Sequence, residues 1–368
     1  MAEFAGFHEA LIITNPENET WLSTYQPFNI TLRTKIVRPT GMGDALLQAE
    51  DEIGNEPILV VNGCDLIDPL FLKEMVQKTL SSYAFVTGQV RSTYFPGGYI
   101  VAEGSKAVGI SEKPGAGNEP SNLFKLTFDF FSEPADFLSL LKKSPTADDQ
   151  YEKALTQLMS TRHVDILTYD GPWQKLKHSH HVLDMARHIL EVKHANNRAR
   201  SAYISPYAVL EGNVFVDEEA HIDANAVIKG PAYIGKRAKI GNHALVRQSV
   251  VEEDSIVGFG SEVVRSYVGP RCALHHNFLG DTILESDINP SWGTTFANWR
   301  MDQRPILVKL PDGQTIDSSK TKLGAIVAKG AFFGVNCSIM PGVTIGEKAK
   351  VYPGKVLSHS LSDNETIK

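Results

Sequence analysis

Two adjacent histidines, His275 and His276, stand in the stretch LHHNFLGDT, residues 274–282. The ordinary pKa of histidine lies near neutrality, so a histidine held on a rigid element can accept the proton of an attacking amine. The alternative interpretation is structural, because a histidine in a globular protein more often packs or faces solvent than acts in catalysis. The elements around the pair decide which interpretation is favoured.

A six-residue repeat surrounds these histidines. Aliphatic residues recur at every sixth position, and a small residue, usually alanine, stands four places after most of them. After one-residue slips the pattern resumes at Val251, and again at Val327. Such a repeat predicts a parallel β-helix with one short strand per hexapeptide, in which the aliphatic side chains fill the interior. The first run of aliphatic positions is Ile204, Leu210, Val216, Ile222, Ile228, Ile234, Ile240 and Val246.

The repeat is interrupted twice. One interruption is ALHHNFLGD, and the other runs from NPSWGTTFANWRMDQRP to SSKTKLG. Binding and catalytic residues concentrate in loops that a rigid scaffold positions. The interruptions are therefore the predicted location of the site, whereas the repeat positions are predicted to be core.

The first half of the chain shows another pattern. Short apolar runs such as PILVVNGCDL alternate with helical segments such as PLFLKEMVQKTL, which predicts an α/β domain with a mostly parallel sheet. Helical spacing over residues 179–198 predicts a last helix. We expect an α/β domain at 1–190, a linker at 191–201, a β-helix at 202–357 and a tail at 358–368.

Composition excludes several classes of partner. The chain has 368 residues and a net charge of -7, with no basic run that would neutralise phosphates, so neither nucleic acid nor a membrane surface is an expected partner. Three widely spaced cysteines give no disulfide framework and no zinc spacing. No apolar window is long enough for a membrane helix. A cytoplasmic protein acting on small molecules is expected.

The motifs HHNFLGD, DIN, WGTTFANW and KTKLG resemble the acyltransferase half of the bifunctional N-acetylglucosamine-1-phosphate uridylyltransferase/glucosamine-1-phosphate N-acetyltransferase family, especially its archaeal-type members. The resemblance covers essentially the whole chain. It implies a left-handed parallel β-helix, acetyl-CoA as co-substrate, an amino-sugar 1-phosphate as acceptor, and a homotrimer with sites between subunits. No metal is expected.

The same resemblance implies roles for individual residues. His275 matches the catalytic base, and His276 is then expected to be exposed or to support it. Substrate contacts are implied for Asn289 and Asn298, which match asparagines that hold the sugar, for Lys322 and Arg265, which match or adjoin phosphate-binding positions, and for Phe278, which replaces a tyrosine. Trp299 likewise replaces a tyrosine.

The first half resembles sugar-1-phosphate nucleotidyltransferases, a fold that is α/β and Rossmann-like. The stretch GGYIVAEGSKAVGISEKP matches their sugar-binding glycine and Glu-Lys-Pro motif, here Gly98, Glu112 and Lys113. These three residues are a possible vestigial sugar-nucleotide site.

Other features of that family are replaced or missing. The sequence starts downstream of the glycine-rich phosphate loop. Cys64 and Lys175 stand at or near the positions of the two acidic cation ligands, and Lys125 stands where an asparagine is usual. Asp65 adjoins Cys64, but neighbouring side chains on a strand face opposite ways. We expect a degenerate nucleotidyltransferase half.

The sequence therefore predicts an acetyl-CoA-dependent N-acyltransferase of amino-sugar phosphates. Two alternatives stay open: a non-catalytic subunit that binds a sugar nucleotide, and a working sugar-1-phosphate nucleotidylyltransferase.

Overall fold

The computed structural model describes residues 7–19, 22, 30–147, 149–192, 197–310 and 313–368. The chain divides into two compact units between Trp173 and Gln174. The sequence places the boundary later, at residues 191–201, because the six-residue repeat begins only there. The helix that precedes the repeat thus falls in the second unit.

The first unit alternates strands and helices. Its helices are α1 Met42–Gln48, α2 Glu50–Ile53, α3 Pro69–Thr79, α4 Pro134–Lys143 and α5 Gln150–Thr161. Its strands are β1 Glu9–Thr14, β2 Thr31–Ile36, β3 Ile58–Val61, β4 Asp65–Leu66, β5 Ala84–Val90, β6 Gly98–Glu103, β7 Lys106–Glu112, β8 Leu123–Phe131 and β9 Asp165–Tyr169. Asp68 caps α3 by accepting a hydrogen bond from the Leu70 N–H, and Pro69 occupies the first helical position.

The α/β class predicted for this unit is confirmed, but the prediction of a mostly parallel sheet is wrong. Six strands lie in the order β3-β8-β5-β9-β7-β6, and of their described pairings only β5–β9 is parallel. β6 and β7 form a hairpin because Glu103 pairs with Lys106 across a loop of only two residues, Gly104 and Ser105. Gly104 has φ of +63°, as such a tight loop requires.

The sheet is buried on both sides. Along β5, Ala84 and Val86 pack into one apolar cluster with Phe131 and Phe137, whereas Phe85 belongs to a second cluster with Phe128. Alternate residues of an extended strand point to opposite faces, so one strand supplies two cores. Burial on both faces explains why the strands of this unit are apolar runs.

The second unit begins with β10, Gln174–Lys175, a short 3-10 helix, Ser179–His181, and α6, Val182–Val192. The helix predicted over 179–198 is confirmed for 182–192, and residues 193–196 lie outside the described residues.

A parallel β-helix follows, and its three faces are each built from strands of successive coils. Face 1 contains β11 Tyr203–Ile204, β14 His221–Ile222, β17 Lys239–Ile240, β20 Ile256–Val257, β23 Ala273–Leu274, β26 Asn289–Pro290, β31 Phe332–Phe333, β34 Lys350–Val351 and β36 Thr366–Ile367. Face 2 contains β12 Val209–Glu211, β15 Val227–Lys229, β18 Leu245–Arg247, β21 Glu262–Val264, β24 Phe278–Gly280, β27 Thr295–Phe296, β32 Ser338–Ile339 and β35 Val356–Leu357. Face 3 contains β13 Val214–Val216, β16 Ala232–Ile234, β19 Val250–Val251, β22 Tyr267–Val268, β25 Ile283–Leu284, β30 Ile326–Val327 and β33 Thr344–Ile345.

The repeat residues fill the interior, as predicted. Ile222, Ile228, Ile234 and Val246 are fully buried, and most of the predicted alanines, such as Ala226, are buried with them. Residue 210 pairs with 228, residue 246 with 263 and residue 268 with 284, so the coil shortens from 18 to 17 and then 16 residues. These shorter coils account for the one-residue slips in the sequence.

The first predicted interruption is a shortened corner, not a break. Leu274 and Leu279 are both fully buried and the strands β23 and β24 continue their faces. His276 turns the corner with φ of +56°, as His243 does on an earlier coil. The spacing between interior residues falls from six to five here, so the six-residue pattern is interrupted in the sequence while the coil continues.

The second interruption starts later than predicted. Strands β26 and β27 keep the regular pairing, and the chain leaves the coil only at Asn298 and rejoins it near Gly324. Residue 284 therefore pairs with residue 327. The excursion contains an antiparallel hairpin, β28 Leu307–Lys309 and β29 Thr315–Asp317. Beyond residue 357, where the sequence ends the β-helix, β36 adds a further strand to face 1.

Candidate functional site

His275 lies on corner 1, the turn between face 1 and face 2, which residues 275–277 form in this coil. Its side chain is exposed. Its backbone N–H donates to the side-chain Oδ1 of Asn277, which is buried. The imidazole is thus presented to solvent by a turn whose backbone is fixed from the inside.

His276 belongs to a column of rings that runs along corner 1. Its ring stacks on Trp292, with centroids 5.3 Å apart and an interplanar angle of 10°, and faces Phe259 at 6.3 Å. Its Nδ1 lies 3.3 Å from the Phe259 carbonyl oxygen. The exposed His276 ring therefore has an aromatic neighbour on each side, and a supporting role for it stays a prediction.

Asn289 lies on the coil next to His275. The Ala273 N–H donates to the Ile288 carbonyl oxygen at 3.0 Å, which sets β23 beside β26, the strand that carries Asn289. The Asn289 side chain is exposed on face 1. The structure thus brings the side of the β-helix that bears Asn289 next to the turn that bears His275.

Three predicted or neighbouring residues meet at corner 2, the turn between face 2 and face 3. The Arg265 guanidinium donates from Nε and Nη2 to the two carboxylate oxygens of Asp281, each at 2.7 Å. Asn298 Nδ2 donates to the same carboxylate at 2.6 Å. Asp281 holds the pKa of the Arg265 guanidinium above its usual value, first through these hydrogen bonds. Arg265 is thus already paired with an anion.

Lys322 stands at the base of the excursion. Trp299 and Lys322 form an antiparallel bridge, and the next residue, Leu323, donates its N–H to the Asn298 carbonyl oxygen at 2.9 Å. The Lys322 and Trp299 side chains are exposed. Asn298 and Lys322 therefore lie together at corner 2.

Phe278 lies between the two corners. It is on β24, where it pairs with Glu262 of the preceding coil and Thr295 of the next. β24 is three residues long, which spans roughly 10 Å at the usual strand rise. Within this chain the structure therefore groups the candidates into two sets. His275 on corner 1 lies near Asn289, which is on the adjoining face 1 of the following coil, and Asn298 lies with Lys322 at corner 2.

Two polar residues of the HHNFLGD motif were not assigned a role from the sequence. Asn277 and Asp281 are 3% and 7% exposed, and each is the centre of the hydrogen bonds described above. In the sequence, each of these polar residues stands close to aliphatic residues that face the interior. A polar group buried at such a position needs hydrogen-bond partners, and this requirement could have identified both residues.

In the first unit, Gly98, Glu112 and Lys113 come together. Gly98 pairs with Glu112 across β6 and β7, and Lys113 Nζ lies 3.6 Å from Glu112 Oε1. A β-carbon at position 98 would lie 3.1 Å from Glu112 Oε2 and 3.2 Å from the Ile110 side chain, so glycine leaves the space that a ligand or Glu112 itself can use.

Lys125 faces inward. Its Nζ lies 2.7 Å from Asp129 Oδ2, which also accepts a hydrogen bond from the Tyr151 hydroxyl at 2.8 Å, and all three side chains are buried. Burial raises the pKa of Asp129, and the Lys125 charge opposes that rise. Cys64, by contrast, is exposed, and Lys175, at the start of the second unit, is half-buried. Lys125 thus serves a buried ion pair of the α/β fold.

Two searches of the described residues gave negative results. No helix among them is long and apolar enough to cross a membrane, and no group of three or more His, Cys, Asp or Glu side chains among them is arranged to hold a metal ion.

Comparison with known proteins gives one family match and several relatives. Residues 210–289 match the family model described as the GMPPB C-terminal domain. A bifunctional sugar-1-phosphate nucleotidylyltransferase/acetyltransferase of Sulfurisphaera tokodaii is 27% identical over 99% of this chain and 89% of its own length. The bifunctional protein GlmU of Methanococcus maripaludis strain C7 is 30% identical over 89% of this chain and 78% of its own length.

Among solved structures, a UDP-glucose pyrophosphorylase complexed with UDP-glucose covers 47% of this chain and 77% of its own, with 19% identity and a TM-score of 0.43. No functional statement rests on a similarity this low.

Proposed function

This chain belongs to the GlmU-like family of bifunctional sugar-1-phosphate nucleotidylyltransferase/acetyltransferases, and we propose that it transfers an acetyl group from acetyl-CoA to the amine of an amino-sugar 1-phosphate. The observation that carries the proposal is the fixed turn at corner 1, which exposes His275 while holding its backbone. A general base needs both accessibility and a defined position.

In the proposed reaction, the amine of the acceptor attacks the thioester carbonyl of acetyl-CoA. His275 accepts the proton that the nitrogen loses as the new C–N bond forms. The C–S bond breaks, and the proton passes to the departing sulfur, which leaves as the thiol of coenzyme A. Such base catalysis contributes about 10²- to 10⁴-fold to the rate.

Asn289 and Asn298 orient the sugar, Phe278 packs against it, and the exposed Lys322 binds its phosphate. Arg265 acts indirectly in this scheme, because its charge is already compensated by Asp281. It holds the carboxylate to which Asn298 is bonded, and so helps to position the sugar.

The separation of the two corners favours more than one copy of the chain at each site, as in the homotrimer that the family resemblance implies. An amino-sugar 1-phosphate carries its amine and phosphate on adjacent carbons, whereas corners 1 and 2 of one coil are separated by β24, roughly 10 Å long. A second copy of the chain that brings its own corner 2 beside His275 would place both groups within reach of one acceptor. We therefore propose that the site is shared between copies.

The test is thiol release from acetyl-CoA with glucosamine 1-phosphate and with galactosamine 1-phosphate as acceptors. His275→Ala should lower kcat by about 10²- to 10⁴-fold, while His221→Ala, which replaces an exposed histidine of face 1 on a distant coil, should keep the activity. Full transfer by His275→Ala would refute the assignment. No release with either acceptor from the wild-type protein would leave the binding function described next.

A second candidate concerns the first unit, which we propose binds a sugar nucleotide without reacting. Gly98, Glu112 and Lys113 stay assembled, which favours retained binding, whereas Cys64 is no carboxylate and Lys125 is committed to Asp129. Calorimetric titration with UDP-N-acetylglucosamine should show binding that Glu112→Ala weakens. Pyrophosphate release from UTP and a sugar 1-phosphate, under varied divalent ions, would instead demonstrate nucleotidyltransferase activity.

A further inference from the structure

Asn277 is a buried residue whose side-chain amide and backbone N–H together link three successive coils of the β-helix. Its Oδ1 accepts the His275 N–H, and its Nδ2 donates to the carbonyl oxygens of Ser291 and Thr294, both at 3.0 Å. Its backbone N–H donates to Ser261 Oγ at 3.1 Å. Ser261 lies on the preceding coil, and Ser291 and Thr294 lie on the following one.

These bonds fix the turn more tightly than the strands alone do. A parallel ladder restrains the residues of β23 and β24, but His275 lies between them. Its N–H is satisfied by a side chain and not by the backbone of the next coil. Both amide protons of Asn277 are used on the following coil, so the side chain cannot rotate without leaving buried donors or acceptors unpaired.

The ring of His276 contacts the neighbouring coils on the outside of the same turn. It lies between Trp292, at 5.3 Å, and Phe259, at 6.3 Å, so the residue after His275 has neighbours on the solvent side while Asn277 acts on the interior side. His275 is left as the exposed side chain of a turn restrained from both directions.

We propose that Asn277 is a positioning residue for acetyl transfer, which acts by fixing the backbone of His275. The proposal rests on the proposed function above. Loss of this restraint would displace the imidazole, and a displacement of about 1 Å can cost on the order of 100-fold in rate. Asn277 itself is 3% exposed and touches no substrate.

The experiment compares Asn277→Ala with Asn277→Asp and with a matched control, Ser255→Ala. Ser255 is another buried polar residue of the β-helix, which donates to the Gly269 carbonyl oxygen at 2.7 Å and accepts the Cys272 N–H at 3.0 Å, away from His275. Asn277→Asp retains the acceptor for the His275 N–H but loses the two donors.

Two measurements are made on each full-length variant. The first is hydrogen exchange of the His275 amide by NMR, which does not depend on activity. The second is kcat and KM for acetyl transfer. Asn277→Ala should raise the exchange rate at least tenfold and lower kcat by roughly 10- to 100-fold with little change in KM, with a smaller effect for Asn277→Asp. Ser255→Ala should change neither quantity.

Unchanged exchange of the His275 amide in both Asn277 variants would overturn the proposal. An equal loss of kcat in Asn277→Ala and Ser255→Ala would also overturn it, because it would indicate general destabilisation. If Asn277→Ala does not fold, Asn277→Asp alone decides by the same criteria. Failure of the proposed function is recognised separately, as full activity in His275→Ala, and the exchange measurement keeps its meaning in that case.

Discussion

Arg265 and Asp281 form a bidentate ion pair at corner 2, although 15 residues separate them in the chain. The pair exists because the coil is 16 residues long at this point, which sets Arg265 directly beside Asp281 on the next coil. Asn298 bonds to the same carboxylate. One buried carboxylate thus organises two residues predicted to contact substrate.

Asp281→Asn should weaken both the fold and acceptor binding. The variant leaves Arg265 without its anion and removes a charged acceptor from Asn298. We expect the free energy of unfolding to fall by about 1–3 kcal/mol. We expect a lower unfolding midpoint in urea and a higher KM for the sugar phosphate. Asp287→Asn is the matched control, because Asp287 forms the same bidentate pair with the exposed Arg271. Its loss of unfolding free energy should be smaller, since exposed ion pairs contribute little to stability. Equal stability losses in the two variants would contradict this expectation.

Lys322→Ala should impair binding of the acceptor phosphate. An exposed ammonium group attracts a phosphate by an interaction that salt screens. We expect KM for the acceptor to rise about tenfold at low salt, with a smaller rise at high salt and little change in kcat. Lys239→Ala removes an equally exposed lysine from face 1 and should leave KM unchanged. A salt-independent effect of Lys322→Ala would argue against phosphate binding.

Lys125→Met should destabilise the first unit. It leaves the Asp129 carboxylate buried without its cation, and breaking such a pair costs roughly 3–5 kcal/mol. The double variant Lys125→Met/Asp129→Asn removes both charges and should recover much of the loss, because the Tyr151 hydroxyl can still donate to the amide oxygen. Urea denaturation of the three proteins measures this coupling. Wild-type stability in Lys125→Met would show that the pair contributes little.

His180 should make stability depend on pH. Burial, followed by the neighbouring His181, His178 and Lys320, lowers its pKa to about 4, while Asp184 opposes the shift. The unfolded chain binds a proton near pH 6.5 and the folded chain does not, so stability is full above pH 6.5 and declines as the pH falls towards 4. The free energy of unfolding falls by about 3 kcal/mol over this pH range.

Thermal unfolding between pH 7.5 and 4.5 tests this dependence. His180→Phe should show a flatter profile than the wild-type protein. The control is His359→Gln, which replaces an exposed histidine of the β-helix and should leave the profile unchanged. Identical slopes in wild type and His180→Phe would assign the pH dependence to other groups.

The β-helix could be predicted because every coil needs the same types of residue at the same positions. An interior aliphatic such as Ile228 and a corner residue such as Ala226 face the same surroundings on every coil, so a weak local signal is repeated many times. The six-stranded sheet offered no such repetition. The apolar pattern of strand β8, LFKLTFDFF, is the same for a parallel and for an antiparallel buried strand. Its antiparallel pairing depends on the lengths of the connecting loops, which an apolar pattern does not encode.

Candidate site residues can be chosen from the sequence, but their geometry cannot. The sequence pattern marks residues 274–282 as an interruption, whereas the structure has a shortened corner there, and the assignment of this turn to the site stays a prediction. The ion pair between Arg265 and Asp281 depends on which corner of the coil is one residue shorter. The sequence pattern alone does not fix that corner. Asn277 was passed over because its contacts lie on other coils, which only the register of the faces brings together.

The excursion after Ala297 leaves the stack almost undisturbed. Leu284 pairs in parallel register with Val327, just as Val268 pairs with Leu284, although one connection is far longer than the other. Lengthening a surface loop costs little free energy, and the ladder on either side needs only the two ends to meet. Asn298 and Lys322 are those two ends. The intervening segment nevertheless has a small apolar core of its own, in which Ile306 and Val308 pack with Leu183 of α6. We therefore expect the excursion to tolerate changes of length at its exposed turns, whereas a replacement of the whole segment would also have to supply new partners for α6.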